Sequence, residues 1–164
     1  ALRKNTTTLP DMNVKTLADK KNIIKSKDNA FELEMDITPN IAGVTGIELY
    51  NAKGENVKIY FDTKERKLVM DRTESGLIEF GKLSVPHDIE KNYSDVHQGA
   101  GNTPFRVFNS VNYKNDFALG TWAPLSLCKG KTYHVDIFVD KCSVEIFVDG
   151  GRIAMTNLVF PTTP

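Results

Sequence analysis

Glu32, Glu34 and Asp36 stand at alternate positions of the stretch Phe31-Glu32-Leu33-Glu34-Met35-Asp36-Ile37. Residues two apart on an extended chain project to the same side. Two carboxyl groups about 5–5.5 Å apart can act as nucleophile and proton donor in retaining cleavage of a glycosidic bond. The same alternation of acid and apolar residues is what a strand with one wet face shows, and that is the favoured reading. His87, His97 and His134 are scattered and lack the paired short spacing of a zinc site, so neither a metal nor a cofactor is expected. Trp122, the single tryptophan, together with Tyr60 and Tyr113 could stack on a sugar ring, with Tyr93 a weaker candidate. A lone tryptophan beside Ala123-Pro124-Leu125 is more often packed in a core or an interface, and that placement is the expectation.

The elements that would carry these residues are strands. In residues 31–37, Phe31, Leu33, Met35 and Ile37 share one face. Gly46–Tyr50, Val57–Phe61 and Lys67–Asp71 follow as a meander with turns at Asn51–Gly54 and Asp62–Glu65. Phe105–Phe108 is the only strand-like piece of the irregular stretch 81–121. Regularity returns with Tyr133–Val139, the turn Asp140-Lys141-Cys142-Ser143 and Val144–Val148. Asp149-Gly150-Gly151 then marks a tight turn into Ile153–Thr156, because glycine tolerates positive φ. No amphipathic helical stripe exceeds two turns. The pattern predicts an all-β, antiparallel two-sheet sandwich of lectin-like jelly-roll type with about ten to twelve strands. Residues 1–20 read as a linker or an N-terminal arm, and 21–164 as one sandwich domain.

The hairpin at 133–148 carries a further signal. Val135, Ile137, Val139, Val144, Ile146 and Val148 make one aliphatic face, suited to a core. The opposite face mixes Phe138 and Phe147 with His134, Asp136 and Glu145. Two phenylalanines are unusual on a face open to water, so a cover is expected: the stretch 81–121 first, then a partner domain, then a bound sugar. Asp71, Arg72, Ser75 and Gly76 close a strand at a turn, where an ion pair or turn hydrogen bond is the expected role.

Composition sets the outer limits. With 164 residues the chain fits one domain, which can bury roughly 68–70% of its unfolded surface. Twenty-one basic and 21 acidic residues cancel, so no global field recruits nucleic acid or an anionic membrane. No stretch approaches the ~20 apolar residues of a membrane span. Residues 1–8 lack the apolar middle of a signal peptide and read as a linker entered partway. Cys128 and Cys142 fall roughly 30 Å apart on the strand reading, too far for the ~7 Å that a disulfide tolerates, so free thiols are expected. Asn5-Thr6-Thr7 and Asn92-Tyr93-Ser94 are glycosylation sequons, meaningful in a eukaryotic source.

Residues Val135 to Gly151 resemble the "IFVDxSSVEVFVNDG" hairpin of the C-terminal module of family 32 glycoside hydrolases (invertases, inulinases and levanases), with Phe160-Pro161 following it. Leu68-Val69-Met70-Asp71-Arg72-Thr73-Glu74-Ser75-Gly76 is similar to that family's "DRxxSG" segment, and Trp122-Ala123-Pro124-Leu125 to its "APL" approach. The blocks come in the family's order. Cys142 stands where a serine is usual, and residues 81–121 match poorly.

The resemblance implies that the chemistry lies elsewhere. That family's catalytic acids sit on an N-terminal five-bladed propeller in "NDPNG", "RDP" and "EC" motifs, none of which occurs in this chain. It therefore implies a non-catalytic accessory domain, with the catalytic β-propeller of the same polypeptide as partner. His134, Asp136, Phe138, Glu145 and Phe147 are then the interface candidates. It further implies a parent that works outside the cell, in the periplasm or at the cell surface. A fructan-binding module using Trp122, Tyr60 and Tyr113 is the first alternative. A self-sufficient glycosidase using Glu32, Glu34 or Asp36 is the second, although their order, Glu-x-Glu-x-Asp, departs from the Glu-x-Asp-x-x-Glu of sandwich-fold glucanases.

Overall fold

The computed structural model describes residues 8, 25–26, 29–41, 43–78, 117–126 and 130–163. Eight strands lie within them and no helix: β1 (Phe31–Ile37), β2 (Val44–Tyr50), β3 (Asn56–Asp62), β4 (Lys67–Glu74), β5 (Gly120–Pro124), β6 (Tyr133–Asp140), β7 (Ser143–Val148) and β8 (Ile153–Leu158). They form two four-stranded antiparallel sheets, ordered β1-β6-β7-β8 and β2-β3-β4-β5. This is the sandwich that the alternating pattern predicts. The Phe105–Phe108 strand lies outside the described residues.

Side-chain alternation decides what the two sheets enclose. Val57, Ile59 and Phe61 of β3 and Leu68 and Met70 of β4 face Val135 and Ile137 of β6 and Val144, Ile146 and Val148 of β7. All ten are buried. Phe61 stacks on Tyr133 from the opposite sheet, ring centroids 5.0 Å apart, and the Tyr133 hydroxyl donates to the Ser126 carbonyl at 3.0 Å. A second tie is polar: the buried Asn157 donates through Nδ2 to Thr121 Oγ1 at 2.7 Å, joining β8 to β5. A buried amide must be hydrogen-bonded to be tolerated, so this pair also fixes the relative slide of the sheets.

Short polar side chains shape the turns. Asn51 Oδ1 accepts from the backbone N–H groups of Lys53 and Glu55, and Asp62 Oδ1 accepts from those of Lys64 and Glu65. Asp149 opens the β7–β8 turn with φ 49°, followed by Gly150 and Gly151 at 68° and 92°. A bulge sits between β3 and β4, where Asn56 pairs with Glu74 but Lys58 pairs with Asp71. An extra residue on one strand bends it, and here the bend falls at Arg72 and Thr73.

The C-terminal segment is tied back onto the β2–β3 turn through Glu55. Its carboxylate accepts from the Thr162 hydroxyl, from the Thr162 N–H at 2.8 Å and from Asn51 Nδ2 at 2.6 Å. The Thr162 hydroxyl above all, then Asn51, holds the Glu55 carboxyl down at about 2. A carboxyl depressed in the folded state stabilises the fold above its ordinary pKa and loses that contribution as pH falls toward the folded value. Glu55→Gln is therefore expected to lower stability at pH 6, with the deficit relative to the parent chain shrinking below about pH 4.5 and vanishing near pH 2. Urea titrations across that range measure it, and a deficit constant with pH would remove Glu55 from the account.

Candidate functional site

Two open surfaces remain once the core is closed, and the cross-strand register places the sequence candidates on them. On the sheet holding β6, the rows run Glu32–Phe138–Glu145–Thr156 and Glu34–Asp136–Phe147–Ala154, with Asp36 beside His134. All three acids of β1 thus share the outer face with the polar side of the hairpin. Phe138 meets Phe147 edge-on at 5.8 Å and stays 40% exposed. The expected cover from the stretch 81–121 lies outside the described residues for 81–116. An open depression of about 330 Å³ is lined by Phe31, Glu32, Phe138, Val139, Asp140, Ser143 and Glu145. Glu34 and Asp36 do not line it.

His134 gathers the acids of its neighbours. Its Nδ1 lies 2.9 Å from Asp36 Oδ1, and its Nε2 lies 3.7 Å from Glu34 Oε1 and 3.6 Å from Asp136 Oδ1. The hydrogen bond to Asp36 above all raises the imidazole's pKa, helped by the charges of Asp136, Asp36 and Glu34 and opposed by partial burial. The backbone is anchored too: the His134 N–H donates to Asp149 Oδ1 at 3.1 Å, the Asp149 N–H donates to the His134 carbonyl at 2.8 Å, and Lys131 pairs with the other Asp149 oxygen at 2.7 Å. Strand alternation alone could not reveal this group, because the partners are 98 residues apart in sequence and only the β1–β6 register brings them together.

The other open face belongs to the β2–β5 sheet. Gly46, Tyr60, Val69 and Trp122 are successive cross-strand neighbours. Trp122 is 57% exposed, so of the two placements expected from its Ala-Pro-Leu neighbourhood, core or interface, it is not in the core. The reason is register: Thr121 and Ala123 take the inward positions of β5, opposite Met70 and Leu68. Lys67 Nζ sits 4.5 Å from the centre of the Trp122 ring. Burial first, then the charges of Asp71 and Asp62, raise the pKa of the Tyr60 hydroxyl, keeping it a hydrogen-bond donor. Val44 and Tyr50 of β2 are also exposed, but charged rows separate them from Trp122, so the face carries one apolar row, Tyr60–Val69–Trp122, between Asp62–Lys67 and Glu48–Lys58–Asp71.

Asp71 and Arg72 stand at the end of β4. Asp71 Oδ1 accepts from the Thr73 N–H at 2.9 Å and the Thr73 hydroxyl at 2.7 Å. Arg72 donates through Nη1 to the Leu158 carbonyl at 2.9 Å and lies 4.1 Å over the Phe117 ring; burial lowers its pKa. Ser75 is buried, and Gly76 packs against Phe160 and Pro161. Cys142 is an exposed free thiol. Tyr93, Tyr113, His87, His97 and Cys128 lie outside the described residues.

Comparison with known proteins fits this geometry. The chain is 26% identical over 135 residues to a levanase of Bacillus subtilis, covering 81% of this chain and 15% of that protein. It is 29% identical over 130 residues to a sucrose-6-phosphate hydrolase of Staphylococcus xylosus, covering 79% of this chain and 19% of that protein. Among solved structures, the fold resembles the exo-inulinase of Aspergillus awamori (TM-score 0.57, 20% identity, 85% of this chain and 21% of that one). It also resembles the sucrose-6-phosphate hydrolase of Lactobacillus gasseri (TM-score 0.51, 21% identity, 86% and 22%). The chain thus spans about a fifth or less of each of these proteins. The family model described as the C-terminal region of glycosyl hydrolases family 32 matches residues 1–164. The chain belongs to that family.

Proposed function

We propose that this domain is a non-catalytic module of a fructose-releasing glycosidase, and that it docks on the catalytic part of its own polypeptide through the outer face of the β2–β5 sheet. The observation that carries this reading is Trp122, 57% exposed at the end of the half-buried cross-strand row Gly46–Tyr60–Val69, on a sheet that closes the core with its other face. Large exposed apolar surface rimmed by charge marks an interaction site, and tryptophan is among the residues that dominate binding at such sites. The far longer relatives leave room for the partner. Glu34 and Asp36, two of the three alternate acids of β1, are engaged with His134.

The test is Trp122→Asp in the full-length polypeptide and in this chain alone. Loss of a central aromatic is expected to weaken docking by about 2 kcal/mol or more. The parent's fructosidase activity should then fail at a temperature several degrees lower. In the isolated chain the same change should cost no more than about 1 kcal/mol, the scale of an exposed cation–π contact. Equal losses in both would show a merely structural tryptophan and overturn the docking face.

A second reading is favoured by the pairing of Trp122 with the donor hydroxyl of Tyr60 in one row: a fructan platform. Calorimetry of this chain against levan and inulin separates the two. The docking reading expects no heat, and saturable binding lost in Trp122→Ala would replace it with the binding-module reading.

A further inference from the structure

We propose that Glu34, His134 and Asp136 form a binding site for a divalent first-row transition cation such as Zn²⁺, with Asp36 orienting the imidazole. Each of the three residues offers one ligand atom, and these atoms lie within 4.8 Å of one another. Ligands about 2.0–2.2 Å from a tetrahedral zinc stand about 3.4 Å apart. The distances from Nε2 to Glu34 Oε1 and Asp136 Oδ1, 3.7 and 3.6 Å, are close to that value. The third separation, between the two carboxylates, lies within 4.8 Å, so side-chain rotation of Glu34 or Asp136 closes the three atoms on one ion.

The tautomer follows from hydrogen bonding. A carboxylate only accepts, and a neutral imidazole carries one N–H. With an ion on Nε2 the imidazole keeps its one N–H on Nδ1, facing Asp36 Oδ1 at 2.9 Å, and Nε2 gives up any proton to turn its lone pair toward the ion between the other two carboxylates. A second carboxylate on the far nitrogen of a metal-binding histidine is the arrangement that fixes ring orientation and raises ligand basicity. Here that carboxylate comes from β1 and the ring from β6, two strands in continuous register.

The site is built on regular strands rather than on a loop. Asp149 holds the backbone of His134 from the other side and is itself held by Lys131. Three carboxylates around one imidazole also leave a local excess of negative charge that a dication offsets. An imidazole among carboxylates favours zinc, nickel or copper over magnesium and calcium, which prefer all-oxygen shells. Three protein ligands leave a position for water or for a group on a partner. The assignment does not depend on how the domain serves its parent.

The experiment is titration of this chain with Zn²⁺ alone, by calorimetry in a non-chelating buffer, alongside ¹⁵N imidazole spectra. One equivalent should bind, with the perturbation at Nε2 of His134, and Mg²⁺ should not compete. His134→Gln should abolish binding, and Glu34→Gln and Asp136→Asn should each weaken it at least tenfold. Asp36→Asn keeps all three ligands and is expected to weaken binding by about 10–100-fold, the range for lost outer-shell partners. An unchanged unfolding midpoint in each variant shows that folding is not the cause. Absence of zinc binding would overturn the proposal. So would binding that survives His134→Gln, which would place the ion on the other histidines or the thiols, or a perturbation at Nδ1.

Discussion

Phe61→Ala is expected to lower the stability of the domain by about 3–5 kcal/mol, the range for truncating a fully buried aromatic. Phe61 is 1% exposed, and its ring stacks on Tyr133 of the facing sheet, so the change opens a cavity where the two sheets meet. The ring pair itself contributes about 0.5–1.5 kcal/mol beyond the area it buries. In a chain of 164 residues the total corresponds to a fall of roughly 6–20 °C in melting temperature, against a total stability of about 5–15 kcal/mol for ordinary domains. Trp122→Ala removes a larger side chain from the opposite side of its sheet and is expected to cost at most about 1 kcal/mol in the isolated chain. Thermal and urea unfolding of the two variants side by side test the register itself. A one-residue slip would exchange the two faces of a strand, so a mild Phe61→Ala beside a severe Trp122→Ala would invert the assignment of inner and outer faces.

That contrast also shows where the amino-acid pattern was informative. In Val57-Lys58-Ile59-Tyr60-Phe61 and in the hairpin from Tyr133 to Val148, strict alternation separates core from surface residue by residue. The buried set follows it: Val57, Ile59, Phe61, Val135, Ile137, Val144, Ile146 and Val148 all point inward. The turns were equally legible, because Asn51, Asp62 and Asp149-Gly150-Gly151 carry their own chemistry. β5 was not. Its five residues, Gly120-Thr121-Trp122-Ala123-Pro124, put the largest side chain outward and two small ones inward. Size and hydrophobicity point the wrong way there, and only pairing with β4 decides the face. The group around His134 was hidden for a different reason. Two of its acids, Glu34 and Asp36, were visible on β1, and its imidazole and third acid, Asp136, on β6, but sheet order is a long-range property, and nothing local in either strand names the other as its neighbour.

The sheet order has a functional consequence as well. The outer face of the β1-β6-β7-β8 sheet collects five carboxylates, Glu32, Glu34, Asp36, Asp136 and Glu145, around His134, Phe138 and Phe147, whereas that of the β2–β5 sheet carries Tyr60, Val69 and Trp122 between rows in which acids alternate with lysines, Asp62 with Lys67 and Glu48 with Lys58 and Asp71. Docking through the acidic face would desolvate several carboxylates, which is costly unless each is paired. Docking through the other face buries Trp122 and Val69 together with carboxylates that already stand beside lysines, Asp62 beside Lys67 and Asp71 beside Lys58. This asymmetry is why the β2–β5 sheet is assigned to the partner and the acidic face to a cation.

Gly76→Ala is expected to be about as damaging as the loss of Phe61, although it adds a single methyl group. Gly76 has φ +109°, a conformation that strains any residue with a Cβ. A Cβ built there would also stand 2.4 Å from the Phe160 carbonyl oxygen and 2.8 Å from Pro161 Cα, both backbone atoms. Neither can swing aside as a flexible side chain would, so the strand end or the C-terminal segment must move. The strained conformation costs about 1–3 kcal/mol and forced overpacking about 1–3 kcal/mol more. The bond from the Leu77 N–H to the Phe160 carbonyl at 2.8 Å goes with it, as does the contact of Phe160 with Phe117, on which Arg72 rests. Gly54→Ala supplies the control. Gly54 also has a positive φ, 82°, but nothing lies within 4 Å of the added Cβ, so only the strain remains. Hydrogen exchange at Leu77 and urea unfolding of both variants check the account. A loss in Gly76→Ala no greater than in Gly54→Ala would mean that the close approach of Phe160 is not what demands glycine at the end of the Asp-Arg-Thr-Glu-Ser-Gly segment. A clearly larger loss, with Leu77 exposed to exchange, would tie that segment to holding the C-terminal residues against the sandwich.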